Sequence, residues 1–119
     1  MRILIVDDSV FAQQIVKKEI LRKFPDAEIL CASSGEQGFE TFQYAKPDFV
    51  ITDLLMPGTG GKEMVKKIRD TGADCRIIVL SSDIQKSVKD EMLSLGVLFF
   101  INKPLTEERA QTLTDLLGR

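Results

Sequence analysis

At 119 residues, 44% of them hydrophobic and 29% charged, the chain has the composition of one ordinary globular domain with a sizeable core. Its formal net charge of −2 excludes bulk electrostatic attraction to nucleic acid. It has no histidine, and Cys31 and Cys75 lie too far apart for a CxxC pair, which excludes an imidazole base and argues against zinc. Residues 1–6 form a short apolar run that meets Asp7-Asp8 at once, too short for a signal peptide or a membrane span. Two apolar-flanked cysteines with no export signal read as buried thiols in a reducing cytoplasm.

Residues 2–6 read as a first strand that stops at Asp7-Asp8, and Ser9 can cap the segment that follows. Phe11, Ile15, Val16, Ile20, Leu21 and Phe24 then recur at helical spacing until Pro25-Asp26 stops the helix. Residues 28–32 are a short second strand. Ser33 with Glu36 has the pattern of a capping box and opens a helix to about Tyr44, with Phe39 and Phe42 inward. After the turn Lys46-Pro47-Asp48, the β-branched run 49–52 is a buried third strand ending at Asp53. The loop 54–61 is too rich in glycine for a helix interior; a helix over 62–70 buries Met64, Val65 and Ile68 and stops at Gly72. The fourth strand, 76–80, leads to Ser81-Ser82-Asp83. A helix carrying Ile84, Val88, Met92 and Leu95 ends at Gly96, a fifth strand over 97–101 leads to Asn102-Lys103-Pro104, and Thr106 opens a last helix with Ala110, Leu113, Leu116 and Leu117 inward.

Strands alternating with helices through short loops imply an α/β fold, a parallel sheet with helices on both faces. All strand C-termini then share one edge, which carries Asp7, Asp8, Asp53, Ser81, Ser82 and Lys103. The opposite edge carries nothing comparable. Each residue alone has a plainer use: Asp53 as a turn cap, Asp7 or Asp8 as a cap of the first helix, Lys103 as a solvated loop lysine. Together they conflict with such uses. At ~4 Å and an effective dielectric of about 20, each pair of ionised carboxylates repels by up to roughly 4 kcal/mol. Lys103 supplies one compensating charge, and a divalent ion bound by hard carboxylate oxygens, Mg²⁺ or Mn²⁺, would supply the rest. Such an ion retains waters that phosphate oxygens replace. Asp53 could therefore accept a phosphoryl group as a carboxylate nucleophile, with Ser81 and Lys103 holding phosphoryl oxygens.

The runs Ile-Leu-Ile-Val-Asp-Asp-Ser, Lys-Pro-Asp-Phe-Val-Ile-Thr-Asp-Leu-Leu-Met-Pro and Lys-Pro-Leu, in this order and spacing, resemble the receiver domain of two-component response regulators over essentially residues 1–119. The resemblance implies a flavodoxin-like (βα)5 doubly wound sheet with strand order 2-1-3-4-5. It implies Asp53 as phosphoacceptor, with Asp7, Asp8, Asp53 and the backbone carbonyl of Leu55 as ligands of Mg²⁺. Ser81 and Lys103 would read the phosphoryl group, Ser81 being favoured over Ser82 because it directly follows the strand. Pro104 is a candidate cis-proline. Phe100, otherwise ordinary core, takes the place of the switch aromatic, without the hydroxyl of the commoner tyrosine. On this expectation phosphorylation draws Ser81 inward, Phe100 fills the vacated space, and the surface formed by helix 4, strand 5 and helix 5 changes shape.

Two departures lie beside the site. Leu55 would obstruct the hydrolytic water, and Asp83 would orient it or repel the phosphoryl group, so this pair is expected to tune the phosphoryl lifetime. The implied partners are a sensor histidine kinase or phosphotransfer protein upstream, and a protein target or fused output domain downstream. No direct nucleic-acid or membrane contact is expected; the helix 4–strand 5–helix 5 surface could also pair two copies. The chain ends just past helix 5, which fits a stand-alone protein of the chemotaxis type, a trimmed piece, or the receiver of a longer regulator. No turnover of an external substrate is expected. The other classes weighed are a phosphohydrolase of the haloacid-dehalogenase type and a flavin-binding module. The first wants a second acid two residues after the first-strand nucleophile, where Ser9 stands, and the acidic edge opposes a flavin phosphate.

Overall fold

A computed structural model describes residues 1–82 and 84–119. Its elements, in chain order, are β1 (Arg2–Val6), α1 (Val10–Lys23), β2 (Glu28–Ala32), α2 (Gly35–Ala45), β3 (Phe49–Thr52), α3 (Gly61–Asp70), β4 (Arg76–Ser81), α4 (Lys86–Ser94), β5 (Phe99–Asn102) and α5 (Glu107–Leu117). The strands pair in parallel in the order β2-β1-β3-β4-β5.

Side chains alternate along each strand, so two apolar layers form from one sheet. Ile3, Ile5, Phe49, Ile51, Ile78 and Leu80 meet Val16 and Ile20 of α1 and Leu113, Leu116 and Leu117 of α5. Leu4, Val6, Val50, Ile77 and Val79 meet Phe42 of α2, Met64, Val65 and Ile68 of α3, and Met92 of α4. Each fully buried branched side chain contributes about 1.5–3 kcal/mol. These layers hold the sheet, so its acidic edge can be locally unfavourable without unfolding the chain.

Several boundaries differ from the expectation: β4 runs through Ser81, β5 through Asn102, and α3 starts at Gly61. The cap of α2 is Ser34, whose Oγ accepts from the Gln37 N–H at 3.1 Å, while Gln37 Oε1 accepts from the Ser33 N–H at 2.7 Å. The capping pattern is therefore displaced by one residue, and Glu36 instead accepts from the Thr59 hydroxyl. α4 begins after Gln85, so Ile84 packs against the core from the preceding loop. β5 begins at Phe99 and not at Val97, because the Val97 N–H is used on the Met92 carbonyl at 3.1 Å to close α4. Gly96, at φ +78, makes that reversal. Phe11 is on α1 in phase with the inward residues, yet it is 77% exposed.

Candidate functional site

The ends of β1, β3, β4 and β5 converge because the register places Val6 beside Thr52 and Thr52 beside Val79, with Ser81 beside Asn102. The residue after each of β1, β3 and β5 is thus Asp7, Asp53 or Lys103. The Asp7 N–H continues the ladder onto the Ala32 carbonyl at 3.0 Å, and the Asp53 N–H onto the Val6 carbonyl at 2.9 Å. Both side chains are buried, whereas Asp8 is exposed. Ser9 joins this turn to α1: its N–H donates to Asp7 Oδ1 at 2.9 Å and its Oγ caps the Ala12 N–H at 3.2 Å.

Asp53 accepts from three directions. Oδ1 takes the Ser81 hydroxyl at 2.5 Å and the Leu55 N–H at 3.0 Å, and Oδ2 takes the Lys103 ammonium at 2.7 Å. The same ammonium donates to Asp7 Oδ2 at 2.6 Å, so one lysine pairs with two buried acids. The Lys103 N–H donates to the Ser81 carbonyl at 3.1 Å, and the Lys103–Pro104 peptide is cis. Burial by itself would raise the Asp53 carboxyl. The Lys103 ammonium, the Ser81 hydroxyl and the Leu55 N–H outweigh it and hold Asp53 below the ordinary aspartate value. Burial lowers Lys103, but Asp53 and Asp7 overcome this and raise it.

Carboxylate oxygens of Asp7, Asp8 and Asp53 all lie within 4.8 Å of one another. An all-oxygen donor set without sulfur or imidazole suits a hard divalent cation such as Mg²⁺ or Mn²⁺, and one lysine leaves the three acids short of neutral. The residues present therefore fit such an ion.

Close packing shapes the β3–α3 loop. A Cβ on Gly61 would strike the Asp53 carbonyl, and one on Gly35 would strike the Thr59 carbonyl, to which the Gly35 N–H donates at 3.0 Å. α2 thereby ties down the loop that follows Asp53. Leu55 presents its N–H to Asp53 while its side chain is 61% exposed. Asp83 lies outside the described residues.

Ser81 is buried against Asp53, and Ser82 is exposed. Of the two serines, Ser81 is therefore the one that reaches Asp53. Phe100 is half-buried on the α2–α4 side of the sheet, with the Lys89 ammonium 5.4 Å from its ring centroid. Two polar residues at this edge escaped sequence reasoning. Thr52 is fully buried and donates its hydroxyl to the Asp53 carbonyl at 2.7 Å. Gln13 donates from α1 to the Asp7 carbonyl at 2.7 Å. The one signal for Gln13 is its place three residues before Val16, on the inward stripe of α1.

Residues 3–115 match the response regulator receiver domain family. The chain belongs to that family. As a two-component receiver domain, it is 35% identical over 108 residues to the chemotaxis protein CheY of Bacillus subtilis, covering 91% of this chain and 89% of that protein. It is 31% identical to the protein-glutamate methylesterase/protein-glutamine glutaminase of Bacillus licheniformis, but there the match spans only 29% of the relative. Among solved structures, the response regulator domain of Thermotoga maritima CheB superposes with a TM-score of 0.83 at 31% identity, over 99% of this chain and 91% of that one. The N-terminal domain of an uncharacterized Wolinella succinogenes protein superposes with a TM-score of 0.89 at 34% identity, over the same shares. No helix among the described residues is long and apolar enough to cross a membrane.

Proposed function

We propose that this receiver takes a phosphoryl group onto the Asp53 carboxylate from the phosphohistidine of a sensor kinase or phosphotransfer protein. A carboxylate oxygen attacks phosphorus, the P–N bond breaks, and its electron pair returns to the imidazole nitrogen of the donor. The observation that carries this reading is the shared ammonium: Lys103 bridges Asp7 and Asp53 while Ser81 donates to Asp53. A nucleophile surrounded by donors, beside an acidic pair that can hold a cation, is built for an incoming group rich in anionic oxygens. Lys103 then pairs with one phosphoryl oxygen and the Ser81 hydroxyl with another. Asp7, Asp8, Asp53 and the Leu55 carbonyl would hold Mg²⁺ or Mn²⁺, which when bound neutralises the charge gathered by acids and phosphoryl oxygens.

The output is a shifted equilibrium. Phosphorylation acts through its differential interaction with two states, and a full reversal from 1:99 to 99:1 takes about 5.5 kcal/mol, within reach of an ion pair and charge-assisted hydrogen bonds. Ser81 and Phe100 relay the change to α4, β5 and α5, and so to a protein target or a fused output domain. Residues 1–119 act as one receiver domain in the cytoplasm, and no chemistry on an external substrate is needed beyond phosphorylation and dephosphorylation of Asp53.

Intact-mass spectrometry after incubation with acetyl phosphate tests the reading. One Mg²⁺-dependent, base-labile phosphoryl adduct is expected on the natural chain and none on Asp53→Ala. An adduct that persists in Asp53→Ala, or no adduct with Mg²⁺ present, overturns the assignment.

A further inference from the structure

Gln13 is polar, sits near the start of α1 and is 4% exposed, whereas glutamines are mostly found at the surface. Its Nε2 lies 2.7 Å from the Asp7 carbonyl, 3.2 Å from the Ala32 carbonyl and 3.2 Å from Ser33 Oγ. An amide has two N–H groups, and the short contact belongs to Asp7. The Asp7 N–H in turn donates to the same Ala32 carbonyl. Asp7 is thus gripped through the peptide groups on both of its sides.

The Asp7 carbonyl and the Asp8 N–H belong to one planar peptide. Holding that oxygen fixes the plane, and with it the direction in which the chain leaves toward Asp8. The Asp8 carboxylate is exposed and has no hydrogen-bond partner among the described residues, yet one of its oxygens lies within 4.8 Å of those of Asp7 and Asp53. Among the described residues nothing holds its side chain, so its backbone must aim it.

We propose that Gln13 is a positioning residue for the acidic pair, its side-chain amide setting the Asp7–Asp8 peptide plane so that Asp8 projects beside Asp7 and Asp53 toward a divalent cation. The proposal rests on the reading of those acids as the cation site. A role confined to tying the β1–α1 and β2–α2 turns together would lower stability and leave cation affinity alone.

Gln13→Met keeps the length and removes the donors. Gln13→Asn keeps the amide but withdraws it by one methylene, and serves if the first variant fails to fold. Mg²⁺ binding is measured by titration calorimetry well below each variant's melting temperature, beside the Mg²⁺ concentration that half-saturates labelling by acetyl phosphate. Gln13→Met is expected to weaken Mg²⁺ binding by roughly tenfold, the size typical of residues that orient metal ligands. Gln13→Asn moves the same way, and both label at the natural rate once Mg²⁺ saturates. Ser33→Ala, which removes only the third acceptor, leaves affinity unchanged. A folded Gln13 variant that melts earlier but binds Mg²⁺ as the natural chain does overturns the role of Gln13 alone. A natural chain that binds no Mg²⁺ overturns the reading of the acids, and this inference with it.

Discussion

At the scale of single residues, the Ser81 hydroxyl donates to Asp53 Oδ1. On the proposed function, phosphorylation changes the acceptor that this O–H meets. Phe100 has a different starting point: half-buried, its ring lies under the Lys89 ammonium, an attraction worth about 0.5–1 kcal/mol at an exposed site. Leu55 is the position expected to combine a backbone contact with control of the phosphoryl lifetime. Its N–H steadies the Asp53 carboxylate, while its side chain is exposed. Leu55→Asn keeps the N–H and replaces the apolar side chain with an amide able to orient water. Dephosphorylation followed by loss of the mass adduct should accelerate by roughly tenfold, and an unchanged lifetime would remove Leu55 from this role.

Among the elements, α4 is the least firmly seated. It has nine residues, of which Met92 alone is buried, and its cap residue Gln85 makes no side-chain cap bond. Val88 packs beside Met92, and charged contacts add to them. Glu91 lies between Lys62 at 3.1 Å and Lys66 at 3.2 Å, both on α3. Arg69 of α3 donates to the Leu95 carbonyl at 2.6 Å and the Gly96 carbonyl at 3.2 Å, pinning the C-terminal end. Lys62, against a smaller effect of burial and with help from Lys66, lowers the Glu91 carboxyl. A carboxyl lowered in the folded state stabilises it above the ordinary glutamate value, and that contribution is lost as pH falls through the lowered value. Glu91→Gln should speed amide hydrogen exchange in α4 severalfold, leaving the β1 and β3 amides unchanged. In the natural chain, added salt and acid should each move α4 exchange toward that of the variant. Insensitivity to both would mean that Met92 and its apolar neighbours suffice to hold the helix.

Across the whole molecule, the acidic edge and the apolar layers are in tension, since the fold gathers three carboxylates around one ammonium. A cation that binds only the folded chain relieves this and stabilises it through mass action. At a hundredfold excess over its dissociation constant Mg²⁺ should add about 2.7 kcal/mol. Thermal unfolding should shift upward by several degrees in Mg²⁺. Asp8→Asn should abolish that shift and scarcely alter the metal-free protein, because Asp8 is exposed. Asp7→Asn should abolish it too, and in addition weaken the metal-free protein, because it removes a partner of Lys103. An equal shift in all three proteins would place the cation elsewhere.

Element order, the parallel sheet and the edge that carries chemistry were determined by the sequence alone. Apolar periodicity is local, and parallel strands linked by helices must place all their C-termini on one side. Acids and a lysine directly after strands could therefore be assigned to a common edge without coordinates. Only the tertiary structure decided which groups touch. Lys103 joins Asp53 and Asp7 across 50 and 96 residues of chain, which depends on strand register and not on neighbouring sequence. The burial of Gln13 and the exposure of Phe11 follow from the same packing. The displaced start of β5 has a related cause: Val97 suits a strand, but its N–H completes the end of α4, and a backbone donor serves whichever acceptor the folded chain brings within reach.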